Sequence, residues 1–423
     1  VTSYGYWLTW AIFAITYAGL AVGKVPGLRM DRAGIALVGA TLMLVFGLLK
    51  FEDAVGTDSV DYKTLFLLFG MMVVVGVLRL SGFFEQLANR ALRRIRTPHG
   101  LLAATIVLSG VLSAFLINDV VCVALTPLVL HLARRLKFDP VPHLIALATA
   151  ANIGSAGTIT GNPQNIYLGS HSGIPYLRFA ARLLPVAALG LAINYLVIAF
   201  VYRGKLGAPK EENSAEKGTD GGENGARRDR ARSALRVKSV TVTVATVILF
   251  FCGLPLELVA LGAASVLLID RIKPKKIYDQ VDWGLLVMFT GLFIVVHAFQ
   301  VHVVAGWGVE GWKWLLGRPV DLLSAVSAAL SNLVSNVPAV LLLEPVAQAM
   351  PEASRETAWL SLAMSSTFAG NLTVLGSVAN LIVVENAGKE GVRISFWEYC
   401  KAGVPVTLLT LALGVVWLSL VRY

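Results

Sequence analysis

The stretch LSAFLINDVVCVALTP, Leu112 to Pro127, has a second copy in LSNLVSNVPAVLLLEP, Leu330 to Pro345. Laid one on the other without a gap, Asn118 falls on Asn336 and Pro127 on Pro345. Outward from this pair, Asp61 and Gly70 find Asp282 and Gly291. Downstream, GTITGNPQNI (Gly157 to Ile166) meets LTVLGSVANL (Leu372 to Leu381), setting Gly161 on Gly376 and Asn165 on Asn380. A shift of about 220 residues holds over three motifs in order, the mark of an internal duplication.

The surroundings of these motifs decide the fold class. Of the 423 residues, 56% are hydrophobic and only 15% charged, where a soluble chain would carry roughly a quarter charged. Apolar runs such as Leu65 to Leu78, Ser239 to Phe251 and Val404 to Val421 approach the length that crosses a bilayer. Candidate spans lie at 4–22, 33–50, 62–80, 142–170, 175–202, 237–253, 255–270, 282–300, 357–385 and 396–421. The first of these lacks a basic leader and reads as a span, not a signal peptide. Two further stretches, 100–134 and 320–349, are broken by polar residues at their middles and read as re-entrant hairpins. Backbone can leave the helix at membrane depth only inside protein or beside a water-filled cavity. The expectation is an all-α polytopic membrane protein of two repeats, 1–203 and 237–423. Each holds five spans and one hairpin, and a polar cytoplasmic linker joins them at 204–236.

An odd number of spans per repeat inverts the second against the first, the design of secondary transporters. The formal net charge of +10 does not point to nucleic acid, because it gathers in short loops. These are Lys24 to Arg32, Arg90 to Arg96, Arg134 to Lys137, Arg227 to Lys238 and Arg271 to Lys276. With the termini outside a plasma (inner) membrane, all five clusters fall on the cytoplasmic side. The first hairpin then opens inward and the second outward. Phe83 to Arg96 has the helical apolar spacing of an interfacial segment. Cys122, Cys252 and Cys400 are scattered without metal-ligand spacing. No nucleophile–base motif appears either, so neither an enzyme, a cofactor nor a metal site is expected.

The chemistry should lie where the breaks meet. Asn118 at the first hairpin tip and Ser335 with Asn336 at the second offer donors and acceptors without charge. The first broken span carries Asn162 and Asn165, and its mate carries Asn371, Thr373, Ser377 and Asn380. All of these side chains could hold a solute. At the hairpin tips the asparagines could instead cap the half-helices, whose ends leave orphan backbone groups, and in the broken spans the small residues could instead serve close helix packing. Asp119 is the one carboxylate at a tip, its mate being Val337, and is the first choice for a proton- or Na⁺-linked group. Glu344 and His297 are further candidates for coupling.

The segments FLINDVVCVALTPLV, GNPQNIYLG, SNLVSNVPAVLL and FAGNLTVLGSVANLIVVE resemble the arsenite permease (ArsB/NhaD) branch of the ion transporter superfamily, from Leu65 to the end of the chain. The resemblance implies a scaffold and a transport domain of two hairpins and two broken helices, with sites between each tip and the adjoining break, in a homodimer. The tips depart from the Ser-Asn-Thr of the dicarboxylate symporters. The implied activity is export of arsenite and antimonite as neutral hydroxides in exchange for protons. The alternatives are Na⁺/H⁺ antiport, Na⁺-coupled anion transport, or a passive channel-like path. A soluble ATPase partner is conceivable at the basic linker, though nothing there encodes one.

Overall fold

The computed structural model describes residues 3–22, 30–92, 95–206, 225–270, 272–305 and 313–420. Most of the expected linker lies outside them, as do Lys24, Arg29, Arg93, Arg94 and Arg271 of the basic clusters. All regular structure among the described residues is helical. The first repeat runs α1 (Ser3–Val22), α2 (Arg32–Val45), the short α3 (Phe51–Ala54), α4 (Tyr62–Leu80), α5 (Phe83–Leu92), α6 (Pro98–Phe115), α7 (Asn118–Arg135), α8 (Pro140–Ser155), α9 (Pro163–Ser172) and α10 (Tyr176–Val201). The second runs α11 (Gly225–Phe251), α12 (Leu256–Leu268), α13 (Pro274–Tyr278), α14 (Trp283–Phe299), α15 (Lys313–Leu316), α16 (Asp321–Val334), α17 (Asn336–Gln348), α18 (Glu352–Ala369), α19 (Val378–Lys389) and α20 (Phe396–Leu420). Seven described helices are long and apolar enough to cross a bilayer, and the chain is a multi-pass membrane protein.

The helices sort into two bundles. In one, α4 packs on α12 and α14 on α2, with α1 and α11 alongside; in the other, α6 to α10 pack with α16 to α20. Two glycines set the crossings of the first bundle. A Cβ on Gly70 would come within 2.7 Å of the Ala260 backbone, and one on Gly291 within 2.7 Å of the Ala36 backbone. Gly70 and Gly291 are the pair matched in sequence, so the same crossing is built twice. In lipid, where tails are as apolar as leucine, such close approach rather than water exclusion holds helices together.

Asp61 and Asp282 begin α4 and α14 in the same way, each capping its helix with φ and ψ near −79° and 84–88°. The two hairpins are α6–α7 and α16–α17, and Pro127 and Pro345 interrupt their second arms at matching places. Each proline removes a backbone donor from its helix. The tips differ. Ile117 turns with φ −59°, whereas Ser335 has φ 78°, a left-handed conformation that costs a non-glycine residue of order 1–3 kcal/mol.

Ion pairs mark two faces. Arg134–Glu390, Lys205–Glu398 and Lys238–Asp270 lie on one side, and Arg178–Glu356 on the other. α5 realises the expected amphipathic segment as far as residue 92, with Phe84 buried and Arg90 exposed.

Candidate functional site

Both broken spans stop and restart by one design. Thr158 and Thr373 are extended (φ −141° and −137°), a 3-10 turn follows, and an extended Asn162 or Ser377 caps the next helix. Asn162 accepts from the Asn165 amide at 2.9 Å, and Ser377 from that of Ala379 at 3.3 Å. The stop strands carbonyls, and one asparagine per repeat gathers them. Asn165 donates to the carbonyls of Ser155, Ala156 and Thr158 at 3.3, 3.4 and 3.0 Å. Asn380 donates to those of Gly370 and Thr373 at 2.7 and 3.0 Å. Thr373 therefore enters through its backbone. The side-chain nitrogens of Asn165 and Asn380 thus hold the stranded carbonyls of the two breaks.

The repeats join through Asn152, fully buried near the end of α8. Its Oδ1 accepts from Asn118 Nδ2 of the first hairpin at 3.0 Å and from Ser377 Oγ at 3.1 Å. Its Nδ2 donates to Asn371 Oδ1 at 2.9 Å and Asn380 Oδ1 at 3.0 Å. All four hydrogen-bonding positions of this amide are used. Asn371 in turn donates to the Thr149 carbonyl at 3.3 Å. The structure thus brings Asn118, Asn371, Ser377 and Asn380 into one network around a residue that pairing asparagine with asparagine passes over. The repeat register itself could have found it, for it sets Asn152 on Thr367. Thr367 makes the mate contacts, accepting from Asn162 at 3.2 Å and Gln164 at 3.1 Å.

The second tip stands close by. A Cβ on Gly370 would meet Asn336 Nδ2 at 3.3 Å, and Asn332 of α16 donates to the Ala369 carbonyl at 3.0 Å. Ser335 is half-buried at the turn. Among the described residues, the buried carboxamide oxygens of Asn118, Asn165, Asn332 and Asn336 have no partner. Groups of this kind are rare in folded proteins and point to a role beyond packing. A carboxamide oxygen can accept from a hydroxyl or coordinate a cation.

The three coupling candidates divide. Asp119 is half-buried in the first turn of α7, within electrostatic reach of Asp282, and its carboxylate accepts no hydrogen bond among the described residues. Glu344 and His297 share a cavity of about 440 Å³ with Asp58, Asp61, Tyr167 and His171. There Glu344 accepts from Tyr167 and, at 2.7 Å, from Gln348 Nε2.

The family described as citrate transporter (CitMHS) matches residues 10–369. The chain belongs to the citrate transporter family. Among relatives of this family member, a silicon efflux transporter of Oryza sativa subsp. japonica is 32% identical, over 93% of each chain. A putative transporter, arsB, of Dictyostelium discoideum is 25% identical, over 97% of this chain and 91% of the relative. The YdaH transporter of Alcanivorax borkumensis shares the fold at a TM-score of 0.54 and 13% identity, covering 99% of this chain and 97% of that one. The citrate transporter family places the chain among secondary transporters of the ion transporter superfamily, in keeping with the superfamily, though not specifically the arsenite branch, that the motifs resemble. In this family member, no charged side chain joins the network around Asn152 among the described residues.

Proposed function

We propose that the chain exports arsenite, and antimonite with it, as the neutral hydroxide in exchange for protons. The observation that carries this reading is the pair of buried carboxamide oxygens, of Asn118 and Asn336, left without a partner among the described residues at the two hairpin tips, beside an Asn152 junction of amides and hydroxyls. An uncharged polyhydroxyl solute matches such groups hydrogen bond for hydrogen bond, and a fixed charge there would find no counter-charge. The relatives named for silicon efflux and for arsB favour the same solute class. Unpaired oxygens of Asn118 and Asn336 stand at the two tips as acceptors, with the half-buried Ser335 beside the second. Cys122 is buried in the second arm of the first hairpin and, like Cys252 and Cys400, is a free thiol, and a thiolate trap is not part of the proposal. Coupling falls to a carboxylate, the half-buried Asp119 or the buried Glu344, since ionisable groups in a membrane bundle are costly to keep without a role.

The test is exchange of radiolabelled arsenite in vesicles holding the purified protein. The proposal expects competition by antimonite and by silicic acid, none by citrate, and full exchange in Cys122→Ser. Competition by citrate alone, or loss of exchange in Cys122→Ser, would overturn it.

A second reading, Na⁺-coupled anion transport, is favoured by the same unpaired oxygens, since carboxamide oxygens suit a hard cation. Stimulation of citrate uptake by Na⁺, with no movement of arsenite, is the result that would select it.

A further inference from the structure

The cavity holding Glu344 lies at the boundary of the two bundles, away from the asparagine junction. Its walls come from both. Asp61 begins α4 of the first bundle, while Tyr167, Ser170 and His171 lie on α9 and Glu344 on α17 of the second. Asp61 Oδ2 accepts from Ser170 Oγ at 2.8 Å and stands 3.6 Å from His171 Nδ1. On its other side, His171 Nε2 is 3.9 Å from Glu344 Oε1. One imidazole therefore faces two carboxylates, one on each bundle.

Exposure falls from the mouth inward. The side chain of His171 is 28% exposed, that of Asp61 13% and that of Glu344 7%. Water reaches the imidazole first, and Glu344 lies one contact deeper, held by Tyr167 and Gln348. The other titratable groups facing this cluster are His297 on α14, Asp58 in the loop before α4, and Tyr17 on α1. Tyr17 also donates to the Pro338 carbonyl at the second tip, at 3.2 Å.

We infer that His171 and Glu344 together form the proton-carrying site of the transport bundle, with Asp61 as its stationary counterpart. This deepens the proton-exchange reading above and rests on it for the solute that the proton drives. With one proton shared between them, the imidazolium–carboxylate pair is neutral overall and can be carried past the fixed bundle. With none, the pair bears a single negative charge beside Asp61, and moving that charge through an apolar interface is costly. A proton enters from cavity water at His171, crosses with the solute-free bundle and leaves to water on the opposite face. The unprotonated bundle returns only when solute binding offsets the cost of moving its charge, so one proton crosses against one solute in each cycle. Asp119 has no hydrogen-bond partner of this kind among the described residues.

The experiment needs no solute. Spin labels are placed by Glu52→Cys on the first bundle's side and Glu352→Cys beside α18, in a Cys252→Ser, Cys400→Ser background reconstituted in lipid nanodiscs. Inter-label distances are then measured at about pH 5.5 and about pH 8, spanning the histidine range. A second distance should appear at the lower pH, with the population ratio changing by up to about tenfold per pH unit, as for one linked proton. Glu344→Gln should show both distances at both pH values. His171→Gln should need more acid than wild type, and His297→Gln should titrate as wild type. Distances in the parent protein that ignore pH, a wild-type response in Glu344→Gln, or a lost response in His297→Gln would overturn the inference. Failure of arsenite exchange with this pH response intact would sink the solute assignment and leave the proton site standing.

Discussion

Asn152 is the side chain on which both repeats converge, and its replacement tests the reading of the site most sharply. Asn152→Ala removes two accepted and two donated hydrogen bonds, each worth about 1 kcal/mol net. The hole left by the carboxamide is roughly the volume of one water, which can satisfy about three partners. We therefore expect a loss of about 2–4 kcal/mol, the lower end applying if water enters. Asn152→Asp conserves shape, yet it should cost more. Asn118 and Ser377 can still donate to it, but the oxygens of Asn371 and Asn380 would now face a carboxylate oxygen. Neither can turn its amide to help. The Asn371 nitrogen is held by the Thr149 carbonyl and that of Asn380 by the Gly370 and Thr373 carbonyls. The assay is the unfolding midpoint of the detergent-solubilised protein, read alongside arsenite exchange. The order wild type, Asn152→Ala, Asn152→Asp, from most to least stable, is the expected result. An Asn152→Asp protein as stable as wild type would refute the assigned network.

Three further outcomes follow from the packing. Gly154→Ala should prevent normal assembly of α6 on α8, because its Cβ would sit 2.1 Å from the Gly110 carbonyl oxygen; size-exclusion profiles of the expressed protein would show aggregation. Ser335→Gly should raise the thermal midpoint by relieving its left-handed φ, a gain of up to about 1 kcal/mol, while slowing arsenite exchange through a looser tip. A double-mutant cycle on Arg178 and Glu356, whose side chains are 56% and 31% exposed, should give a coupling of at most about 1 kcal/mol in chemical denaturation.

The architecture was legible in the sequence because each device left its mark twice. Apolar length gave the membrane class, and the matched Asn118 and Asn336 drew attention to the hairpins. Gly70 with Gly291 marked positions whose reason, close backbone crossing at Ala260 and Ala36, appears only in three dimensions. The site was legible in part. Asn165 and Asn380 were prominent as residues, but whether they bind solute or gather stranded carbonyls depends on backbone geometry that spacing does not encode. Asn152 stands at the head of the first broken span, but its mate is a threonine, so pairing asparagine with asparagine leaves it out. The meeting of Asp61, His171 and Glu344 was not readable at all, since it joins three distant segments across a bundle boundary. Asp119 stood out for being charged at a tip, while its lack of hydrogen-bond partners among the described residues could only be seen in the fold.

The central claim is that neutral amides at the junction of two inverted repeats carry a neutral hydroxide, driven by protons. Its most direct test is uphill arsenite accumulation in vesicles containing the purified protein, with a pH gradient imposed and Na⁺ equal on both sides. The account predicts accumulation that collapses when the pH gradient is dissipated and that is absent in Asn152→Asp. Arsenite that only equilibrates, or that accumulates under a Na⁺ gradient and ignores pH, would contradict it.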